Sequence, residues 1–286
     1  MSKIYVYPRL SSIDLSFIRI GGAGLANCMF VAARAFILAK RYNWNIIDPT
    51  WVKISLGPYI RGEKDKRHYN NFFNRFGVSW LKKAWLLVFE KRYQENKLLP
   101  QDHGVVEVAG LGNYFKDLIP FHDIVYEYFN EITKPNIIKE ILPEKFSNVI
   151  GIHIRLGDYV NSLRTPIDWY LKSVSQINQI HPNLFSFYIF SDGQDEELKE
   201  LLSIDNVSRV FFGNALSDIW ALSKCRLIIG SDSTFSGWGA FLGQVPIIYP
   251  KCHYGNVLIN AKDQLVTKDI DTISESFFKR LTIHVK

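Results

Sequence analysis

Between residues 149 and 249, short β-branched runs alternate with stretches whose apolar residues recur at helical spacing. The run Val149-Ile150-Gly151-Ile152-His153-Ile154-Arg155 predicts a strand buried on both faces. Residues 166–180 predict a helix, with Pro166 at its start and Trp169, Tyr170, Val174 and Ile177 at helical spacing. The rhythm continues with strands over 185–190, 208–212, 227–230 and 245–249 and helices over 195–202, 216–225 and 234–242. Strands separated by helices of this length predict parallel βαβ units with right-handed crossovers, a Rossmann-like domain of the α/β class.

The first half is less regular. Strand-like runs at 17–20, 45–48 and 105–109, and a helix over 27–41 behind a glycine-rich turn, predict a second α/β unit. Residues 80–93 predict a further helix. Two facing α/β units predict a cleft between them, at the carboxyl ends of both sets of strands. The boundary is expected near 143–147, giving an N-terminal domain over 1–146 with an insertion at 61–97 and a C-terminal domain over 147–286.

Composition narrows the class. With 47% apolar residues in 286, the chain buries a large core and is not a disordered tail. Cys28, Cys225 and Cys252 are too few and too far apart for a disulfide framework or a CxxC metal site, which points to a reducing compartment. The first 20 residues lack a basic stretch followed by an apolar core and a cleavage site, and no segment reads as a membrane span. A cytoplasmic protein is expected.

The net charge of +6 is local: of 34 basic and 28 acidic residues, ten and four lie between Arg61 and Lys97, and the rest of the chain balances. Such a patch faces something anionic: phospholipid, a phosphorylated carrier or nucleic acid. Within it, residues 80–93 mix tryptophans with lysines and arginines. They suit either peripheral contact with the inner membrane, or a domain helix with Trp85, Leu86 and Phe89 in the core and a solvated basic face. The patch carries no RNP or zinc-finger pattern, so no nucleic-acid partner is expected.

Candidate chemistry gathers at strand ends. Alternation puts His153 and Arg155 on one face, and Gly157 lets Asp158 emerge beyond the strand. An arginine there offers a fixed fork of donors able to hold two phosphate oxygens. The same residues also suit a structural Arg155–Asp158 ion pair with His153 satisfied in the core. At residues 228–240 a strand enters a hydroxyl-rich turn that opens a helix; Ser233 or Thr234 caps it, and its start is an anion site or a simple cap. Asp192 ends a third strand, where a carboxylate can accept from guanine or ribose, or merely shape a turn. Gly21-Gly22-Ala23-Gly24 opens a helix but lacks the third glycine of a dinucleotide fingerprint and any P-loop lysine. Asp269 and Asp271 have DxD-like spacing but follow the last predicted strand and read as a surface turn.

In series, these segments resemble the bacterial α-1,2-fucosyltransferases, an inverting family related to protein O-fucosyltransferases and core α-1,6-fucosyltransferases. His153-Ile-Arg-Leu-Gly-Asp-Tyr159 is similar to that family's H-x-R-R-x-D-Y, and Asp232-Ser-Thr-Phe-Ser-Gly-Trp-Gly-Ala240 to N-S-S-F-S-W-W-G-A. Gly24-Leu-Ala-Asn-Cys-Met-Phe30 is similar to G-L-G-N-Q-M-F, and 165–170, 190–192 and 218–223 fit the intervening stretches in the right order. Leu156, Gly237, Asp232, Ala26 and Cys28 depart from the pattern, most heavily in the acceptor-side turn.

The resemblance implies a GT-B architecture, two Rossmann-like domains with a cleft, in which the second binds GDP-fucose and the first presents a galactose-terminated acceptor. It implies that Arg155, Ser233, Thr234 and the helix start hold the diphosphate, that His153 and Asp192 contact the guanosine, and that Asn27 lies near the sugar or phosphate. Asp158 becomes either the general base or the partner that holds Arg155. No cofactor or metal is expected, since the arginine and helix start take up the leaving-group charge. The expected reaction is inverting transfer of L-fucose to the 2-hydroxyl of a galactose in a surface polysaccharide or oligosaccharide. Another metal-independent nucleotide-sugar transferase, or a non-catalytic nucleotide- or glycan-binding protein, is the alternative.

Overall fold

The computed structural model describes residues 3–54, 67–95, 97, 102–157, 164–273 and 275–280. The chain divides into two compact units, Met1–Ile137 and Ile138–Lys286. The division falls ahead of the short 3-10 turn Pro143–Phe146, whose Phe146 ring packs on Tyr188 and Phe212.

The first unit holds a four-stranded parallel sheet in the order β4-β1-β7-β6. Its strands are β1 (Lys3–Pro8), β4 (Asn45–Ile46), β6 (Arg92–Gln94) and β7 (His103–Val108). β1 pairs with β7 along its full length, from Lys3 opposite His103 to Pro8 opposite Val108. β1 was not foreseen, although Ile4 and Val6 alternate into the core there. The helix Leu25–Tyr42 buries Ala32, Ala33 and Ala35 beside Met29 and Phe30, small residues that let it lie close to its neighbours. A smaller sheet joins β2 (Ile13–Asp14), β3 (Arg19–Ile20) and β5 (Lys53–Ile54).

The helix Trp80–Phe89 reverses one sequence expectation. Lys83, Leu86 and Leu87 face inward, whereas Leu81, Trp85, Val88 and Phe89 are exposed. Trp85 and Phe89 are therefore not core residues. The buried Lys83 ammonium donates to the Asp48 carbonyl at 2.6 Å and to Thr50 Oγ1 at 2.8 Å, and these bonds anchor the helix on its polar side.

The second unit is the regular one. Six parallel strands run in the order β10-β9-β8-β11-β12-β13: β8 (Val149–Ile154), β9 (Ser186–Ser191), β10 (Val207–Arg209), β11 (Leu227–Gly230), β12 (Ile247–Tyr249) and β13 (Gln264–Val266). All six residues of β8 are buried. The longer crossover helices are Ile167–Ile180, Ala215–Leu222 and Thr234–Gly243. The predicted helix over 195–202 is instead a 3-10 turn, Glu196–Leu198, continued by one helical turn, Lys199–Leu202. β13 was not foreseen, and beyond it Asp269 accepts from the Asp271 amide to close the 3-10 turn Ile270–Thr272.

Strand order fixes where chemistry can sit. From β8 the chain winds out to β9 and β10, then returns to the other side of β8 for β11, β12 and β13. The topological switch point thus lies between β8 and β11, and in open α/β sheets ligands bind outside the carboxyl ends of the strands there.

Candidate functional site

β8 delivers His153 and Arg155 to that point, and β11 delivers Ser231 and the turn after it. Gly230 lies opposite His153 in the ladder, and the Ser231 amide donates to the His153 carbonyl at 3.0 Å. The imidazole is buried, lies 3.1 Å from the Ser231 hydroxyl through Nδ1, and stacks on Phe235 at 4.8 Å. Burial, and then the neighbouring Arg155 charge, push its pKa down to about 3 against the pull of Asp192. His153 is therefore a neutral hydrogen-bonding ring at physiological pH.

Arg155 projects beyond β8, partly open to solvent. Its guanidinium lies 2.7 Å from Oδ2 of Asp192, which leaves the end of neighbouring β9. The second carboxylate oxygen of Asp192 accepts from the backbone amides of Leu156 at 2.9 Å and Gly157 at 3.0 Å. One carboxylate thus fixes both the arginine and the turn that follows it. Gly157 is required for that approach: a Cβ there would lie 2.7 Å from Asp192 Oδ2. Sequence reasoning placed Arg155 and Asp192 at strand ends but did not pair them. Asp158, expected as base or as the partner of Arg155, lies outside the described residues, as does the first part of the basic insertion.

Across the switch point the helix Thr234–Gly243 begins. Ser233 caps it, its hydroxyl accepting from the Phe235 amide at 3.3 Å. Thr234 is the first helical residue and half-buried. Tyr254 steadies the turn by donating from its hydroxyl to the Ser233 carbonyl at 2.9 Å, and burial raises its pKa so that it stays a donor. His253, outside every motif noted in the sequence, also stands at this turn. Asp232 Oδ1 accepts from its backbone amide at 3.0 Å and lies 2.7 Å from its Nδ1, so an imidazole stands beside the helix start. A His-Tyr pair just past a strand end was the only signal for it.

In the first unit, Asn27 sits half-buried in the first turn of Leu25–Tyr42. Gly24 caps that helix with no side-chain bond, and the Leu25 amide donates to the Tyr69 hydroxyl at 3.0 Å. Two cations not singled out in the sequence hold the glycine-rich turn. Buried Arg19 donates to the Gly21 carbonyl at 2.9 Å, and buried Lys53 to the Gly22 carbonyl at 3.0 Å.

Residues 103–250 match the family described as Glycosyl transferase family 11. The chain belongs to glycosyl transferase family 11. The family 11 match takes in His153, Arg155, Asp192, Ser233 and Thr234, and leaves out Asn27 and His253. Among its relatives is an alpha-1,2-colitosyltransferase of Escherichia coli, 26% identical over 166 residues, or 54% of this chain and 57% of that one. The alignment thus spans little more than half of that relative's length. The O-antigen biosynthesis glycosyltransferase WbnK of Escherichia coli is 26% identical over 268 residues, 77% of this chain and 87% of WbnK. The fold of this family 11 glycosyltransferase is similar to that of the fucosyltransferase NodZ from Bradyrhizobium, with a TM-score of 0.52 at 14% identity over 88% of this chain and 96% of NodZ. Arabidopsis thaliana FUT1, solved in complex with GDP, gives 0.54 at 14% identity over 90% of this chain and 72% of that one.

Proposed function

We propose that this glycosyltransferase transfers L-fucose from GDP-fucose to the 2-hydroxyl of a galactose in a bacterial surface polysaccharide, with inversion, in a GT-B arrangement. In this reading the unit Ile138–Lys286 binds the donor and Met1–Ile137 presents the acceptor. One observation carries it: the clamped Arg155 and the capped start of Thr234–Gly243 both stand at the carboxyl ends of adjacent strands β8 and β11. A helix start and a guanidinium fork in that position suit a diphosphate.

The chemistry follows from charge. Breaking the C1–O bond of fucose leaves GDP with an added negative charge while the sugar becomes oxocarbenium-like. Donors fixed at the β-phosphate before the reaction stabilise that state more than the ground state. Asp192 supplies the fixing, because Arg155 cannot swing away without breaking a charge-assisted bond. In this reading the partly exposed Asp192 carboxylate also meets the guanosine, and neutral His153 offers an uncharged edge. Asp158 takes the proton of the attacking hydroxyl, and Asn27 contacts the donor sugar or phosphate. No metal takes part in this scheme.

A second reading is favoured by the colitosyltransferase relative. Colitose is fucose without its 3-hydroxyl, so the GDP contacts would be unchanged and only the sugar contacts would differ. Incubation of the purified chain with GDP-fucose or GDP-colitose, a panel of galactosides and EDTA separates the readings. An α-1,2-fucosylated product formed in EDTA supports the first, and transfer of colitose alone supports the second. Intact donor throughout would overturn both.

The relative WbnK acts in O-antigen biosynthesis by its name. For this chain we propose a lipid-linked acceptor at the cytoplasmic face of the inner membrane. The exposed stripe Leu81, Trp85 and Val88, with Phe89 beside it and exposed Lys82, Lys91 and Arg92 nearby, supports that contact. No helix among the described residues is long and apolar enough to cross a membrane.

A further inference from the structure

The first unit contains a cavity of about 590 Å³ that none of the residues assigned above to the donor lines. Its size falls within the range of about 300–1,000 Å³ typical of small-ligand sites. The lining mixes flat rings with hydrogen-bonding groups: Trp51, Trp80 and Tyr69 stand beside the amides of Asn70, Asn71 and Asn74. Rings and amide side chains together match the apolar faces and the hydroxyl rims of a sugar.

One donor in this wall is unsatisfied. Trp51 is 7% exposed, and its indole nitrogen has no hydrogen-bond partner among the described residues. The backbone of the wall is strained as well. Ser16, Tyr69, Asn71 and Trp80 all adopt left-handed conformations, with φ of 70°, 54°, 63° and 55°. For side chains as bulky as tryptophan and tyrosine such strain gathers at ligand clamps.

The charge of the cavity is one-sided. Among the described residues, Arg75, Lys83 and Lys134 line it against one carboxylate, Asp48. Arg75 lies over the Trp80 ring at 3.6 Å, and Lys134 donates to Asn71 Oδ1 at 3.2 Å, so both cations are positioned. Burial raises the Asp48 carboxyl and lowers the Lys83 ammonium to about 8, which leaves Arg75 and Lys134 as the cations of this lining among the described residues.

We propose that this cavity binds an acidic saccharide, a hexuronate residue of the acceptor glycan, with its carboxylate on Arg75 and Lys134 and its ring against the aromatic side chains of the wall. The description of that saccharide as acceptor rests on the glycosyltransferase reading above; the binding itself does not. Tyr69 lines the cavity and also takes the Leu25 amide, so one side chain links the cavity wall to the start of the Asn27 helix.

Calorimetric titration of the full chain with methyl galacturonide, methyl galactoside and galactose 1-phosphate, without donor, tests this, with GDP titrated into the same samples. The uronide should bind at least about tenfold tighter than the galactoside, and Lys134→Met and Trp80→Ala should each weaken it about tenfold with GDP binding retained. Equal affinity for the neutral galactoside, a preference for the phosphate, or uronide binding untouched by both substitutions would overturn the assignment. GDP binding with no saccharide binding would sink this inference and leave the donor reading standing. Uronide binding without GDP binding would do the reverse.

Discussion

Arg155 and Asp192 leave the carboxyl ends of neighbouring strands and meet at 2.7 Å, with Ile154 opposite Ser191 in the last rung of the ladder before them. The bond joins the carboxyl ends of β8 and β9, one strand from the switch point, so the position of the guanidinium depends on β8 and β9 staying in register.

Asp192→Asn keeps the shape and the bonds to the Leu156 and Gly157 amides but removes the charge that holds Arg155. Loss of a charge-assisted hydrogen bond here costs about 1.5–3 kcal/mol, seen as a lower melting temperature. Fucosyl transfer should fall at least about tenfold, because the fork then samples geometries away from the phosphate. An unchanged transfer rate would show that the pairing does not position Arg155.

Much of the second unit was legible from its alternation of β-branched runs and helical stretches. β11 was placed at its full length and β8 to within a residue, because runs such as Ile150-Gly151-Ile152 are buried on both faces and broken by nothing. The Arg155–Asp192 pair was not legible, since it depends on which strands are neighbours, and strand order is not written in local pattern. The first unit failed differently. β1 carries strand formers, with Ile4 and Val6 turned inward, but it is six residues long and ends on Pro8, and its place in the sheet is set by its full-length pairing with β7, which local pattern does not show. In Trp80–Phe89 the inward side was read correctly at Leu86 but not at Trp85 and Phe89, because Lys83 is satisfied by Asp48 and Thr50 and goes inside with Leu86 and Leu87. Arg19, Lys53 and His253 act from outside any motif, on a turn or beside a helix start.

His153 makes stability fall in acid. Burial and the Arg155 charge hold its pKa near about 3, against an ordinary value of 6.5. Above pH 6.5 both folded and unfolded chains carry it neutral, and its contribution is full and constant. Below 6.5 the unfolded chain takes a proton that the folded one refuses, so the fold loses up to about 1.4 kcal/mol per pH unit until pH approaches 3. His153→Phe keeps the stack on Phe235 and removes the titration. Its melting temperature should vary less between pH 7 and pH 5 than that of the parent chain, and parallel pH profiles would refute a buried neutral imidazole.

Trp85 and Phe89 are 53% and 71% exposed on one face of their helix. Replacing both with glutamate should change stability by no more than about 0.5 kcal/mol each, as at other exposed sites. The same double variant should lose pelleting with anionic liposomes at low salt, where the parent chain pellets, and added salt should release the parent. A parent chain that stays in the supernatant at low salt would remove the membrane contact from the account.

The most direct measurement is the turnover rate of Arg155→Lys with GDP-fucose and a galactoside, alongside its affinity for GDP. Lysine preserves the charge and loses the two-pronged fork. The account predicts a fall of about 10²–10³ in turnover, the cost of removing one preorganised donor, with a much smaller change in GDP affinity. Turnover close to that of the parent chain would contradict it.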